Sequence, residues 1–195
     1  MPAPGHSHPV IDAIRSRRSI RDFTDAEVPR QYVETMIEAA TWAPNHRKTE
    51  PWRFFVLERG SPVRERLAGM VSEWTFENIK NPSPERRQQG AEQSRREALE
   101  TPVLIFAFSV PGRNEEVTRE NYAAVACAML NMQLAAHSLG LGAGWSTGRI
   151  CLPDGLKALL GAQPDWDIVG ALYVGYPSVV PAARRTPFGD VTTWL

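Results

Sequence analysis

Apolar positions along this chain fall into helical and extended periods. Val10, Ile11 and Ile14 predict a short helix running into Ser16. Pro29 suits the first position of a second helix, and Val33, Met36, Ile37 and Ala40 form its apolar face. That helix should stop near Trp42, because Pro44 disfavours helical geometry at Ala43. "APNHRKTEP", residues 43–51, reads as a loop bracketed by prolines, and "WRFFVLE" from Trp52 as a strand. Ser61-Pro62 opens a helix with Val63, Leu67, Met70 and Val71 on one face. The continuous run "PVLIFAFSV", residues 102–110, predicts a strand buried on both sides. From Arg119 to Leu139 small and apolar residues point most ways round, which predicts a helix buried nearly on all sides, with Gly140 as its cap. "GLGAGWSTG" then passes into a short strand or turn, "LPDGLKALLG" reads as a helix and "DIVGALYVGYP" as a further strand.

Two stretches depart from this pattern. Residues 72–100 are charged, interrupted by "NPSPE", and show little apolar face, which suggests a peripheral helical excursion. Residues 179–195 are rich in Pro, Arg and Thr and read as an extended C-terminal arm. The arm carries Phe188 and Trp194, which want burial, and wrapping a partner subunit would supply it. Helices and strands mix without regular βαβ alternation. The expectation is therefore an α+β layer fold in a single domain, 1–195, without internal repeats.

Charge changes the picture by what it excludes. Lys+Arg 22 against Asp+Glu 22 leaves no net charge, which argues against a broad nucleic-acid-binding surface. No apolar run reaches the ~20 residues of a membrane span, and "MPAPGHSHPV" lacks the order of a signal peptide and reads as a loose terminus. Cys127 and Cys151 form no CxxC and no zinc spacing, and read as ordinary reduced thiols. The expectation is a cytoplasmic protein that binds neither nucleic acid nor membrane.

Against that neutral background "RSRRSIRDF" stands out, with four arginines among residues 15–21. It is either a solvated basic turn or a holder of an anion, since guanidinium groups grip phosphate in a fork. "GLGAG" fails as a dinucleotide fingerprint, because it follows a helix and is spaced GxGxG; a helix cap and tight backbone packing explain it. "GWSTG" matches the GxSxG nucleophile elbow, but no histidine follows Ser146, as a hydrolase of that type requires. His137 reads as a hydrogen-bonded core histidine and His46 as a loop residue that is filler or a ligand contact. No acid/base couple and no metal-ligand spacing stand out. Hard chemistry, if present, then belongs to a cofactor.

Taken in order, "IRSRRSIRDF", "AATWAPNHRKTEPWRFFVL", "AAVACAMLNMQLAAHSLGLGAGW", "VGALYVGYP" and "RRTPF" resemble the nitroreductase family of FMN-dependent oxidoreductases, most closely its small minimal members. The resemblance covers nearly the whole chain. It implies a central, mostly antiparallel sheet flanked by helices, and an intertwined homodimer with exchanged C-terminal extensions and two FMN sites at the interface. It also implies ping-pong reduction of a nitroaromatic, a quinone or a similar electron-poor small molecule by NADH or NADPH. A non-catalytic flavin module, dehalogenation or dehydrogenation are the alternatives on the same fold.

Residue by residue, Arg17, Arg18 and Ser19 match the stretch that contacts FMN phosphate and ribityl oxygens. Asn45 and His46, with Trp42 just before them, match the loop that approaches the flavin from the facing subunit. Trp145, Ser146 and Thr147 match the segment beside the flavin ring, and Arg184 or Arg185 the late basic residue near the phosphate. No side chain is implied as catalytic and no metal is implied, since the chemistry is the flavin's. One departure is notable: minimal relatives often carry an arginine where this chain has Trp42 or Ser146.

Overall fold

Four strands carry the strongest apolar signals, and they form one antiparallel sheet: β1 (Trp52–Glu58), β2 (Val103–Ser109), β3 (Gly142–Ser146) and β4 (Asp167–Gly175), in the order β1-β2-β4-β3. The structure is a computed structural model and describes residues 8–81 and 83–195; the loose start expected for the first ten residues lies mostly outside these. All of β2 is buried, as its unbroken apolar run requires. Alternation assigns its side chains to two cores. Val103, Ile105 and Ala107 meet α2 (Arg30–Thr41) and α5 (Glu115–Ser138). Leu104, Phe106 and Phe108 meet α3 (Pro62–Asn78), α4 (Pro84–Glu100) and α6 (Leu156–Leu160). The result is the α+β layering expected, with helices on both faces of the sheet.

Several boundaries differ from the sequence expectation for local reasons. α5 begins at Glu115, four residues ahead of Arg119, because the Asn114 side chain accepts from the Val117 amide and Glu115 and Glu116 favour the first turn. α5 is not buried on all sides either: Tyr122, Ala123 and Leu130 remain exposed in the single chain. α6 is cut to five residues between left-handed Gly155 and Gly161. Within 72–100, the first part continues α3, and α4 packs against α3 through small residues, Ala91, Ser94 and Ala98. Alanine and serine give a weak hydropathy signal, which hid that face.

α1 (Pro9–Ser16) has no buried residue although it is amphipathic. The tail after Pro177 is exposed throughout, with one 3-10 turn at Phe188–Val191, and Phe188 and Trp194 stand 79% and 86% exposed. No helix among the described residues is long and apolar enough to cross a membrane.

One position in α3 runs against helix stability without a packing reason. A Cβ on exposed Gly69 would meet nothing within 4 Å. Gly69→Ala is therefore expected to stabilise the protein by about 0.5–1 kcal/mol, read as a higher urea midpoint at unchanged slope. A lower midpoint would mean that the position has a role the packing does not show.

Candidate functional site

Residues 17–23 leave α1 and run along the free edge of β3. Ser19 bridges Ala143 in parallel register, and the Ile20 amide donates to the Ala143 carbonyl at 3.2 Å. The approach leaves no room for side chains on that side of β3. A Cβ at Gly142 would lie 2.7 Å from Ile20 Cγ1, and one at Gly144 2.3 Å from the Ile20 carbonyl oxygen. The glycines of "GLGAG" are thus a helix cap, with Gly140 at φ +75°, followed by a close-packing seam.

This seam holds Arg17 and Arg18 at a cavity of about 210 Å³ between the end of α1 and the last turns of α5. Arg17 Nη1 donates to Gln133 Oε1 at 3.4 Å. Arg18 Nη1 donates to the carbonyls of Arg15, Ser16 and Arg17, closing the end of α1. Burial lowers the Arg17 pKa, and the guanidiniums of Arg185 and Arg18 lower it further. No carboxylate lines this cavity among the described residues. Arg17 and Arg18 at this cavity, with Arg185 close enough to act on Arg17, form a basic cluster whose charge an anion would relieve. Arg185 belongs to that cluster. For Arg184 the structure shows only its carbonyl, which accepts from Arg185 Nη1 at 3.1 Å.

A second, larger cavity of about 650 Å³ adjoins the same segment. Arg21, Ser146 and Arg149 line it on one side, Ser94 and Glu97 of α4 on the other, and Tyr173 of β4 lies among them. Arg21 lies 4.2 Å over the Tyr173 ring and donates to the Trp145 carbonyl at 3.1 Å. Arg149 Nη1 donates to Ser94 Oγ at 3.3 Å. Burial pushes the Tyr173 phenol up to about 12 and the Cys151 thiol up to about 12, so both are neutral at physiological pH and Cys151 is no nucleophile. Ser146 Oγ accepts from the Gly148 amide at 3.2 Å and has no histidine partner among the described residues, so the serine-hydrolase reading of "GWSTG" has no geometric support. Trp145 lies half-buried, its indole donating to the Val169 carbonyl at 3.3 Å, and Thr147 is exposed.

The proline-bracketed loop lies elsewhere. Its Arg47, Lys48 and Glu50 all adopt positive φ, 68°, 52° and 44°, each at a cost of about 1–2 kcal/mol for a residue with a Cβ. The first turns of α5 hold it there. Glu120 accepts from His46 Nδ1 at 2.9 Å and from Arg47 Nε at 2.8 Å, and Glu116 accepts from Arg47 Nη2 at 3.2 Å. Asn121 accepts from Thr49 Oγ1 at 2.6 Å, and Asn45 Oδ1 accepts from the Glu50 amide at 2.8 Å. The hydrogen bond from Arg47 holds the Glu120 carboxyl below its usual range. Trp42 stands 81% exposed at the end of α2.

The structure therefore brings Arg17, Arg18, Ser19, Trp145 and Ser146 to the β3 edge, with Arg185 near enough to act on Arg17, and it leaves Trp42, Asn45 and His46 at another place on the same chain. Glu120 and Gln133 mark the two ends along α5, about 20 Å apart by helical rise. Sequence reasoning missed Gln133, Arg149, Ser94 and Glu120. It also read His137 as core, whereas its half-buried ring pairs with Ser16 Oγ at 2.7 Å beside the arginines. Each of these partners is distant in sequence; only Arg149, just past "GWSTG", carried a local hint.

This arrangement has counterparts. A Bacillus subtilis protein named as an NAD(P)H nitroreductase, YfhC, is 31% identical over 187 residues, covering 95% of this chain and 94% of its own. A solved nitroreductase-like family protein from Bacillus cereus is 28% identical, superposes with a TM-score of 0.82, and is matched over 99% of both chains. A structure from Desulfovibrio desulfuricans, described as a nitroreductase in complex with FMN, is 27% identical with a TM-score of 0.74, over 97% of this chain and 98% of the other. The model of the nitroreductase family matches residues 14–176, a span that starts just before the arginine segment and closes with β4; the chain belongs to the nitroreductase family.

Proposed function

We propose that this protein is an FMN-dependent oxidoreductase that uses NADH or NADPH to reduce electron-poor small molecules such as nitroaromatics and quinones, in a ping-pong cycle. The observation that carries the reading is the cluster of Arg17, Arg18 and Arg185 beside a cavity floored by the β3 seam, which no carboxylate lines among the described residues. A phosphate monoester carries the charge that this cluster lacks, and the adjoining cavity of about 650 Å³ falls within the usual range for a ligand of flavin size. The residues present fit FMN. Bound FMN supplies the hydride chemistry, and the chain's side chains bind and orient. Arg17, Arg18 and Arg185 hold the phosphate, and Ser19 the ribityl chain. Arg21, Ser146 and Thr147 border the ring, and neutral Tyr173 backs Arg21. No side chain is needed as a general base for hydride transfer.

The active species in this reading is a homodimer. Exposed Val10 and Ile14 of α1, Leu130 of α5, and Phe188 and Trp194 of the tail form apolar surface that a second copy would cover. Dimerisation would also bring the Trp42–His46 region of one subunit to the arginine cavity of the other.

The deciding experiment is an absorbance spectrum of the purified protein with the released chromophore identified by mass. It is followed by NAD(P)H oxidation with a nitroaromatic and a quinone. A yellow protein releasing FMN, with parallel double-reciprocal plots, is expected. A colourless protein that takes up no added FMN would overturn the reading. A flavoprotein that leaves NAD(P)H unoxidised would instead be a binding module. Within this reading Arg17→Ala is expected to weaken FMN at least tenfold, since each charge-assisted hydrogen bond is worth about 1.5–3 kcal/mol. Unchanged affinity by flavin fluorescence titration would remove Arg17 from the phosphate site.

A further inference from the structure

The loop at residues 45–50 is a costly piece of backbone with an elaborate anchor. Three of its residues sit in the left-handed region without being glycine. A loop of this kind persists only where its surroundings over-determine it, and such strain gathers at ligand sites. Here one side chain makes the decisive contacts. Glu120 receives His46 Nδ1 with one carboxylate oxygen, at 2.9 Å, and Arg47 Nε with the other, at 2.8 Å. An ionised carboxylate only accepts, so the His46 contact to Glu120 is donated by Nδ1–H, from an imidazole whose side chain is 70% exposed. Nothing in the same chain uses that oriented ring among the described residues. The arginine cavity lies roughly 20 Å further along α5.

We propose that Glu120 is a positioning residue of the flavin site, fixing the 45–50 loop and the His46 ring in the shape that completes the cavity of the facing subunit. This rests on the FMN-dependent dimer proposed above. Glu120 acts through His46 and Arg47 and touches no ligand itself. Glu116, which takes the second arm of Arg47, and Asn121, which takes Thr49, hold the rest of the loop.

The test uses FMN affinity and nitrogen NMR of the intact protein. In the wild-type, His46 is expected to carry a proton on Nδ1; an Nδ1 without a proton would overturn the proposal without any variant. Glu120→Ala is expected to weaken FMN about tenfold or more, while Glu115→Ala, which removes only a surface pair with Arg119, leaves it within twofold. Chains carrying Glu120→Ala and chains carrying Arg17→Ala are then mixed. If the loop serves the facing subunit, each mixed dimer regains one site of wild-type affinity, built from an intact Arg17 and an intact loop. Glu120→Ala affinity within twofold of wild-type, or no regained site on mixing, would overturn the proposal while leaving the flavin reading in place. A wild-type protein that takes up no FMN would overturn both.

Discussion

Arg64→Met is expected to destabilise the protein by about 3–5 kcal/mol. Arg64 lies in the first turn of α3 and is fully buried, yet no carboxylate faces it among its hydrogen-bond partners. Its guanidinium instead donates from Nε to the Ala98 carbonyl, from Nη1 to Leu57 and from Nη2 to Thr101. One side chain thereby ties the end of β1 and the C-terminal turn of α4 to α3. Burial pulls its pKa down to about 10, which still leaves it charged at neutral pH. Methionine would relieve the cost of burying that charge. It would also strand three buried carbonyls at about 1–3 kcal/mol each, and that loss is the larger. Urea unfolding should show the drop, with a melting point lower by roughly 10 °C. A change under 1 kcal/mol would mean that water replaces the guanidinium.

Gly144→Val is expected to cost the cofactor more than it costs the fold. A Cβ there would lie 2.3 Å from the Ile20 carbonyl oxygen and 2.9 Å from Arg21 Nε, so the obstacle is backbone and cannot rotate away. Segment 17–23 must shift off β3, and it carries Arg17, Arg18, Ser19 and Arg21. Overpacking of this kind costs about 1–3 kcal/mol in stability. Moving the arginines proposed to hold the phosphate by an ångström or more would remove several charge-assisted bonds together, so FMN affinity should fall by about a hundredfold or more. A Gly144→Val protein that binds FMN like the wild-type would show that the seam does not position the arginines.

Much of this was legible in the chain, and the failures have physical causes. β2 announced itself because both of its faces are buried. The arginine segment was visible as charge out of keeping with a neutral protein. Arg64 was hidden by its charge, although its position with Leu67, Ala68, Val71 and Thr75 falls on one helical stripe. The buried face of α4 was hidden by its small residues. The partners of Glu120 and His137 could not be read, because they lie 74 and 121 positions away, and helical periodicity carries no information at that range.

The strand order bears on how the protein reaches this state. The sheet is wholly antiparallel, yet none of its pairings is a tight hairpin: roughly 40 residues separate β1 from β2, nearly 60 separate β2 from β4, and about 20 separate β3 from β4. Closing such loops is entropically expensive before any ladder forms. The α3–α4 pair and α5 can gain structure from nearby sequence, so the helices should assemble first and the central strands should lock last. On the ribosome β2 must therefore wait, apolar from Val103 to Phe108 and unpaired on one side, until β4 has emerged, and that interval is when the chain is most exposed to aggregation.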